Sequence, residues 1–142
     1  MPLILTPEIL KEIADQLDKG MLCFYNIKTG ELESVPDENR LPGYDEEPWA
    51  DALEKIDENY GDYVRFEGMD SHESFRIMEG FVDEMPNNEV RNRFIHALEQ
   101  RKPFQQFKSL LHYYPHLLEQ WYVYKTQCYI EFVKKIADAY DR

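Results

Sequence analysis

Apolar residues recur at helical spacing along most of the chain and run together only in short stretches near the N-terminus. Thr6-Pro7-Glu8 has the form of a helix start: Thr6 can cap, Pro7 suits the first helical position, and Glu8 suits the positive end of the dipole. Ile9, Leu10, Ile13, Ala14 and Leu17 then share one face, with Gly20 as the stop. Met21 to Ile27 is apolar and aromatic, too short and too β-prone for another helix. Lys28-Thr29-Gly30 is a turn signal, and Glu31 to Val35 alternates, so Met21–Val35 is expected to form a hairpin. The acidic, proline-rich stretch Pro36–Pro48 is expected to be a solvated loop. Pro48 opens a helix through Asn59 with Trp49, Ala52, Leu53 and Ile56 inward, and Tyr63–Glu67 is expected to be a third strand.

From Asp70 onward the period is helical throughout. Asp70 and Glu73 have capping-box spacing ahead of a stripe of Phe75, Met78, Phe81, Val82 and Met85. Pro86-Asn87-Asn88 is a break with a new cap, ahead of a helix over Glu89–Gln100 with Val90, Phe94, Ala97 and Leu98 inward. Pro103 starts a short helix carrying Phe104, Phe107, Leu110 and Leu111. Pro115 starts the longest, with Leu117, Leu118, Trp121, Tyr122, Lys125, Tyr129, Phe132, Ile136 and Tyr140 in phase. A second apolar line, Val123 and Ile130, marks this helix as either central in the core or shared with another subunit. The pattern predicts an α+β fold: a small antiparallel sheet of about three strands near the N-terminus and a predominantly helical C-terminal half, as one domain over residues 1–142.

Charge changes this picture by its distribution. The chain of 142 residues carries a net charge of −12. Residues 1–90 hold 7 basic and 23 acidic side chains, and residues 91–142 hold 9 and 5. Either the two halves neutralise each other, or the basic part faces an anionic partner. The net charge disfavours non-specific attraction to nucleic acid or to an anionic membrane. Cys23 and Cys128 lie in apolar surroundings without metal or redox spacing, which points to thiols in a reducing setting. The opening MPLILTPEIL lacks the form of a signal peptide, and no run approaches the ~20 apolar residues of a membrane span.

No nucleotide-binding, nucleophile-elbow, zincin or paired CxxC motif occurs. His112 and His116 stand four apart, but Pro115 lies between them, and no third ligand falls at a recognised spacing. Acid pairs such as Glu46-Glu47, Asp57-Glu58 and Asp83-Glu84 read as solvated surface. The densest surface chemistry is Arg93, His96 and Gln100 on one helical face, followed by Arg101, Lys102 and Lys108. Phe104 and Phe107 interleave with these bases. That arrangement suits phosphate and base stacking, or alternatively core aromatics beside helix-end charges.

The segments Phe75-Arg76-Ile77-Met78-Glu79-Gly80-Phe81, Ala97-Leu98, Arg101 through Phe104-x-x-Phe107-Lys108, and Trp121-Tyr122 resemble a small uncharacterised bacterial family of the UPF type. That family has a MEDF-like helix followed by FxxFK and WY segments. The resemblance implies a bacterial, cytoplasmic, soluble protein and brings no established activity.

The sequence therefore supports a protein of unknown function, expected to be a non-enzymatic cytoplasmic protein-interaction or regulatory domain. The binding residues are expected to be Arg93, His96, Arg101, Lys102 and Lys108, with Val123 and Ile130 for self-association as a monomer or homodimer. No catalytic residue, metal ligand or cofactor is assigned. The partner is expected to be a protein, not a membrane. The alternatives are nucleic-acid binding through the basic region 91–108 and a small enzyme with an unrecognised acidic site.

Overall fold

The computed structural model describes residues 3–140. The chain gathers into two compact units, Met1–Gly68 with Tyr129–Arg142, and Met69–Cys128.

The first unit holds helix α1 (Pro7–Asp18), strands β1 (Met21–Asn26), β2 (Leu32–Pro36) and β3 (Tyr63–Phe66), and helix α2 (Ala50–Glu58). Thr6 Oγ1 accepts from the Ile9 amide at 3.2 Å, capping α1 as its sequence predicts. Gly20, at φ +95°, lets the chain leave α1 and enter β1 at once. β1 is central, with β2 and β3 antiparallel on either side. The hairpin turn is built by the buried Asn26, whose side-chain oxygen accepts from the Lys28 and Thr29 amides at 2.9 and 3.0 Å.

Strand alternation then divides the residues between the two faces. Cys23 and its cross-strand neighbour Phe66 are fully buried, and the Cys23 Sγ lies 3.9 Å from the Ile13 carbonyl of α1. Phe24 and Val35, on the other face, form a core with Ile56 of α2, flanked by Trp49, Leu53 and Tyr63. The loop after β2 is less free than its composition suggests. Asp37 is buried, its carboxylate accepts from the Asn39 amide at 2.9 Å, and the Arg40 guanidinium donates to the Leu17 carbonyl at the end of α1.

The second unit is helical: α3 (Ser71–Asp83), α4 (Glu89–Glu99), α5 (Pro103–Leu111) and the first part of α6 (Pro115–Ala139). The capping box at α3 is complete, with Asp70 accepting from the Glu73 amide at 2.8 Å and Glu73 accepting from the Asp70 amide at 3.3 Å. Asn88 caps α4 through the Arg91 amide at 3.1 Å. Lys102 joins α4 to α5 in the left-handed region, at φ 55°. A residue before proline is disfavoured in the right-handed helical region, and here the tight link takes the left-handed one.

The core of this unit is aromatic. Phe107 is fully buried, with ring centroids 4.9 Å from Trp121, 5.6 Å from Phe94 and 6.3 Å from Phe81. Gly80 matters for close approach: a Cβ there would lie 2.6 Å from the Tyr124 hydroxyl oxygen.

The long helix departs from its expected stripe. Trp121 and Tyr129 are buried as expected, but Tyr122 is 53% exposed, and burial passes instead to Val133 and Ala137. The 3.6-residue period does not close on a strict three-and-four alternation over 25 residues, so the buried line drifts around the helix. Tyr122 instead lies under the Lys125 ammonium, 5.6 Å from its ring centroid.

Candidate functional site

On α4, residues three and four apart fall on one face, so Asn92, Arg93, His96 and Gln100 form a line. The apolar face of α5 is consumed by Phe107 and Leu111, which leaves Gln106, Ser109 and Tyr113 exposed, with half-buried Leu110 at the edge of the aromatic core between them. The left-handed link at Lys102 folds α5 back beside α4. The two polar faces then enclose an open groove of about 600 Å³, running from Glu89 to Tyr113, with Ala97 and Leu110 among its lining.

The groove is chemically mixed. Arg93 is held at both ends of its guanidinium, donating to the Tyr114 hydroxyl at 2.8 Å and pairing with Glu89 at 3.5 Å. The Tyr114 contact, then Glu89, pushes the Arg93 pKa further above its ordinary value, so it remains a fixed positive charge. Tyr114 is itself packed against Phe94, with centroids 5.8 Å apart. Gln100 Nε2 stands 3.1 Å from His96 Nε2, with the imidazole tautomer setting whether that ring nitrogen accepts from the amide. The other polar groups of the groove, on Asn92, Gln106 and Ser109, are uncharged donors and acceptors. Such side chains match the paired N–H and C=O of a peptide backbone.

Arg93 and His96 thus come together, whereas Arg101, Lys102 and Lys108 are exposed but lie outside the groove lining. Phe104 is half-buried and packs edge-on against Phe75 at 6.4 Å. Val123 is 72% exposed and borders a second open groove of about 640 Å³ with Phe81, Met85, Pro86 and Leu117. Ile130 is half-buried. Sequence reasoning missed Asn92, Gln106, Ser109 and Tyr113. The signal for the last three was their spacing opposite Phe107 and Leu111, but nothing local says that this line would face α4.

Groups displaced from their ordinary titration range are scattered. Burial pushes the Cys23 thiol up to about 11. Burial, followed by Cys128 and Glu84, raises the Tyr124 phenol. Hydrogen bonds that Lys55 donates to Glu31 and Glu33 raise its ammonium. Among the described residues, no group of three or more His, Cys, Asp and Glu side chains is placed to hold a metal ion. No helix among them is long and apolar enough to cross a membrane.

Comparison with known proteins assigns a family and leaves activity open. Residues 2–135 match the sequence model of the uncharacterised protein family UPF0158. The UPF0158 protein PA5073 of Pseudomonas aeruginosa is similar, at 36% identity over 55 residues. That alignment covers 39% of this chain and 36% of the relative, so it spans about a third of the relative's length. No solved structure matches the chain.

Proposed function

We infer, for a chain that belongs to the uncharacterised protein family UPF0158, a non-enzymatic binding module whose α4–α5 groove takes a polar segment of a partner protein. The observation that carries this reading is the meeting of two polar helix faces over Ala97 and Leu110. Asn92, Gln100, Gln106 and Ser109 supply backbone-matching hydrogen bonds, and Arg93 supplies one fixed cation for a carboxylate on the segment. Binding is favoured over catalysis because most polar groups that converge here are amides and hydroxyls, while the His96 imidazole meets the Gln100 amide and the Glu89 carboxylate pairs with Arg93, so no acid–base pair is formed between them. A protein partner is favoured over nucleic acid because Phe107 is a core residue and three of the expected bases, Arg101, Lys102 and Lys108, lie off the groove. The module works in the cytoplasm, a reading supported by the buried Cys23 thiol, and as a monomer or homodimer.

The test is affinity capture from a bacterial lysate with three baits: the native chain, Gln100→Ala/Gln106→Ala, and Val123→Ser. Loss of one protein band with the groove variant alone supports the reading. Loss with Val123→Ser alone moves the surface to the second groove. A nuclease-sensitive eluate replaces the protein partner with nucleic acid.

A further inference from the structure

The sheet-bearing unit contains a cavity of different chemistry, independent of the α4–α5 groove. It is small, about 270 Å³, just under the ~300 Å³ from which pockets hold drug-sized ligands. That volume suits one long side chain and not a nucleotide. Its apolar part comes from Leu22 and Val35, directly paired across β1 and β2, with Phe24 and Ile56 beside them. Tyr60, 64% exposed, and half-buried Tyr44 line it as well. So do the exposed carboxylates of Glu38 and Asp57. The one basic lining residue, Arg65, is already paired with Glu67 at 2.9 Å.

The surroundings extend this character. An open groove of about 600 Å³, lined by Asp45, Glu46 and Glu47, shares Glu38 and Tyr44 with the cavity. The Tyr44 phenol is raised by partial burial and then by Glu46 and Glu38, as a negative local field requires. The whole unit carries nine basic and twenty acidic side chains, a net charge of −11.

We propose that this cavity receives a lysine side chain from a basic segment of a partner protein. Leu22, Val35, Phe24 and Ile56 hold its methylenes, and Tyr60, Asp57 and Glu38 hold its ammonium. Lysine divides in this way between an apolar stem and a charged head, and tyrosine faces attract cations. The flanking basic residues of the segment lie along Asp45, Glu46 and Glu47. Charge complementarity of this kind makes association fast and salt-sensitive.

The test is a nuclear magnetic resonance titration of the full chain with an acetylated, amidated tetralysine peptide, with a tetraglutamine peptide as the control. The expected result is saturable movement of the Leu22 and Val35 methyl signals with tetralysine only. Affinity should fall about tenfold in Tyr60→Ala/Asp57→Asn, and less in Glu46→Gln/Glu47→Gln. All four positions are exposed, so the fold is expected to survive. Movement confined to residues 45–47, or equal affinity in the Tyr60→Ala/Asp57→Asn variant, overturns the cavity as the site. n-Butylammonium binding as tightly as the peptide overturns the protein segment in favour of a free amine.

Discussion

The two units reach order by different routes. In the sheet-bearing unit, backbone pairing joins segments far apart in sequence, and the buried side chains are mostly aliphatic or sulfur-bearing: Ile13, Leu17, Cys23, Val35 and Ile56, with Phe24 and Phe66. In the helical unit, Asp70 and Asn88 cap α3 and α4 locally, and Phe81, Phe94, Phe107 and Trp121 interlock as rings. Charge divides the same way. The sheet-bearing unit carries −11 and the helical unit −1, with seven basic and eight acidic side chains. The asymmetry visible along the chain is therefore less that of a basic and an acidic half than that of one strongly acidic and one nearly neutral unit. The first unit carries a strongly negative field, whereas the open groove of the second is lined largely by uncharged donors and acceptors.

The contrast can be probed because each unit carries one tryptophan, Trp49 in the first and Trp121 in the second. The largest expected effect is Phe107→Ala. It removes the ring at the centre of the aromatic cluster and should cost about 3–5 kcal/mol, read as a lower urea midpoint from Trp121 fluorescence in a Trp49→Phe background. A loss below about 1 kcal/mol would mean the ring cluster is not what holds this unit.

The next effect belongs to the other unit and depends on pH. Cys23 titrates near 11 when folded, against an ordinary value of 9.0. Its contribution to stability is complete below pH 9 and is lost as pH rises through about 11, an order of 2–3 kcal/mol. Urea midpoints followed by circular dichroism from pH 8 to 11 should fall more steeply for the native chain than for Cys23→Ala. Parallel curves would show that Cys23 does not carry this dependence.

Asp70→Ala should cost about 1 kcal/mol through loss of the capping box. Amide hydrogen exchange should quicken first in the opening turn of α3. The smallest effect tests close approach. Gly80→Ala alone should destabilise, because the new methyl meets the Tyr124 hydroxyl oxygen. In a Tyr124→Phe background the same change should instead stabilise by up to about 1 kcal/mol, the helix propensity of alanine over glycine. A change of the same sign in both backgrounds would exclude the hydroxyl as the cause.

What could be read from sequence followed from local chemistry. Thr6, Asp70 and Asn88 announce their helices because a cap acts within three residues of itself. Pro103 and Pro115 open α5 and α6 because proline is tolerated only at a helix start. Arg93 and His96 could be paired because helical spacing alone puts them on one face. Arg101 and Lys102 could not be placed, because they fall in the α4–α5 link, where no period applies and the left-handed turn at Lys102 sets direction. Tyr122 was misplaced because its side chain satisfies a period that the long helix does not keep.

The sequence by itself thus determined the order and kind of the elements, the three-stranded sheet and the aromatic stripe of the helical unit. These follow from propensities, caps and periodicities that act over a few residues. Only the tertiary structure decided that the outer face of α5 meets the polar face of α4. It also decided that the loop beginning at Asp37 is tied back to α1 by Arg40, and that Tyr44 and Tyr60 frame an apolar cavity with acids around it. Those arrangements depend on groups far apart in the chain, whose approach is set by packing and whose side chains carry no local mark of it.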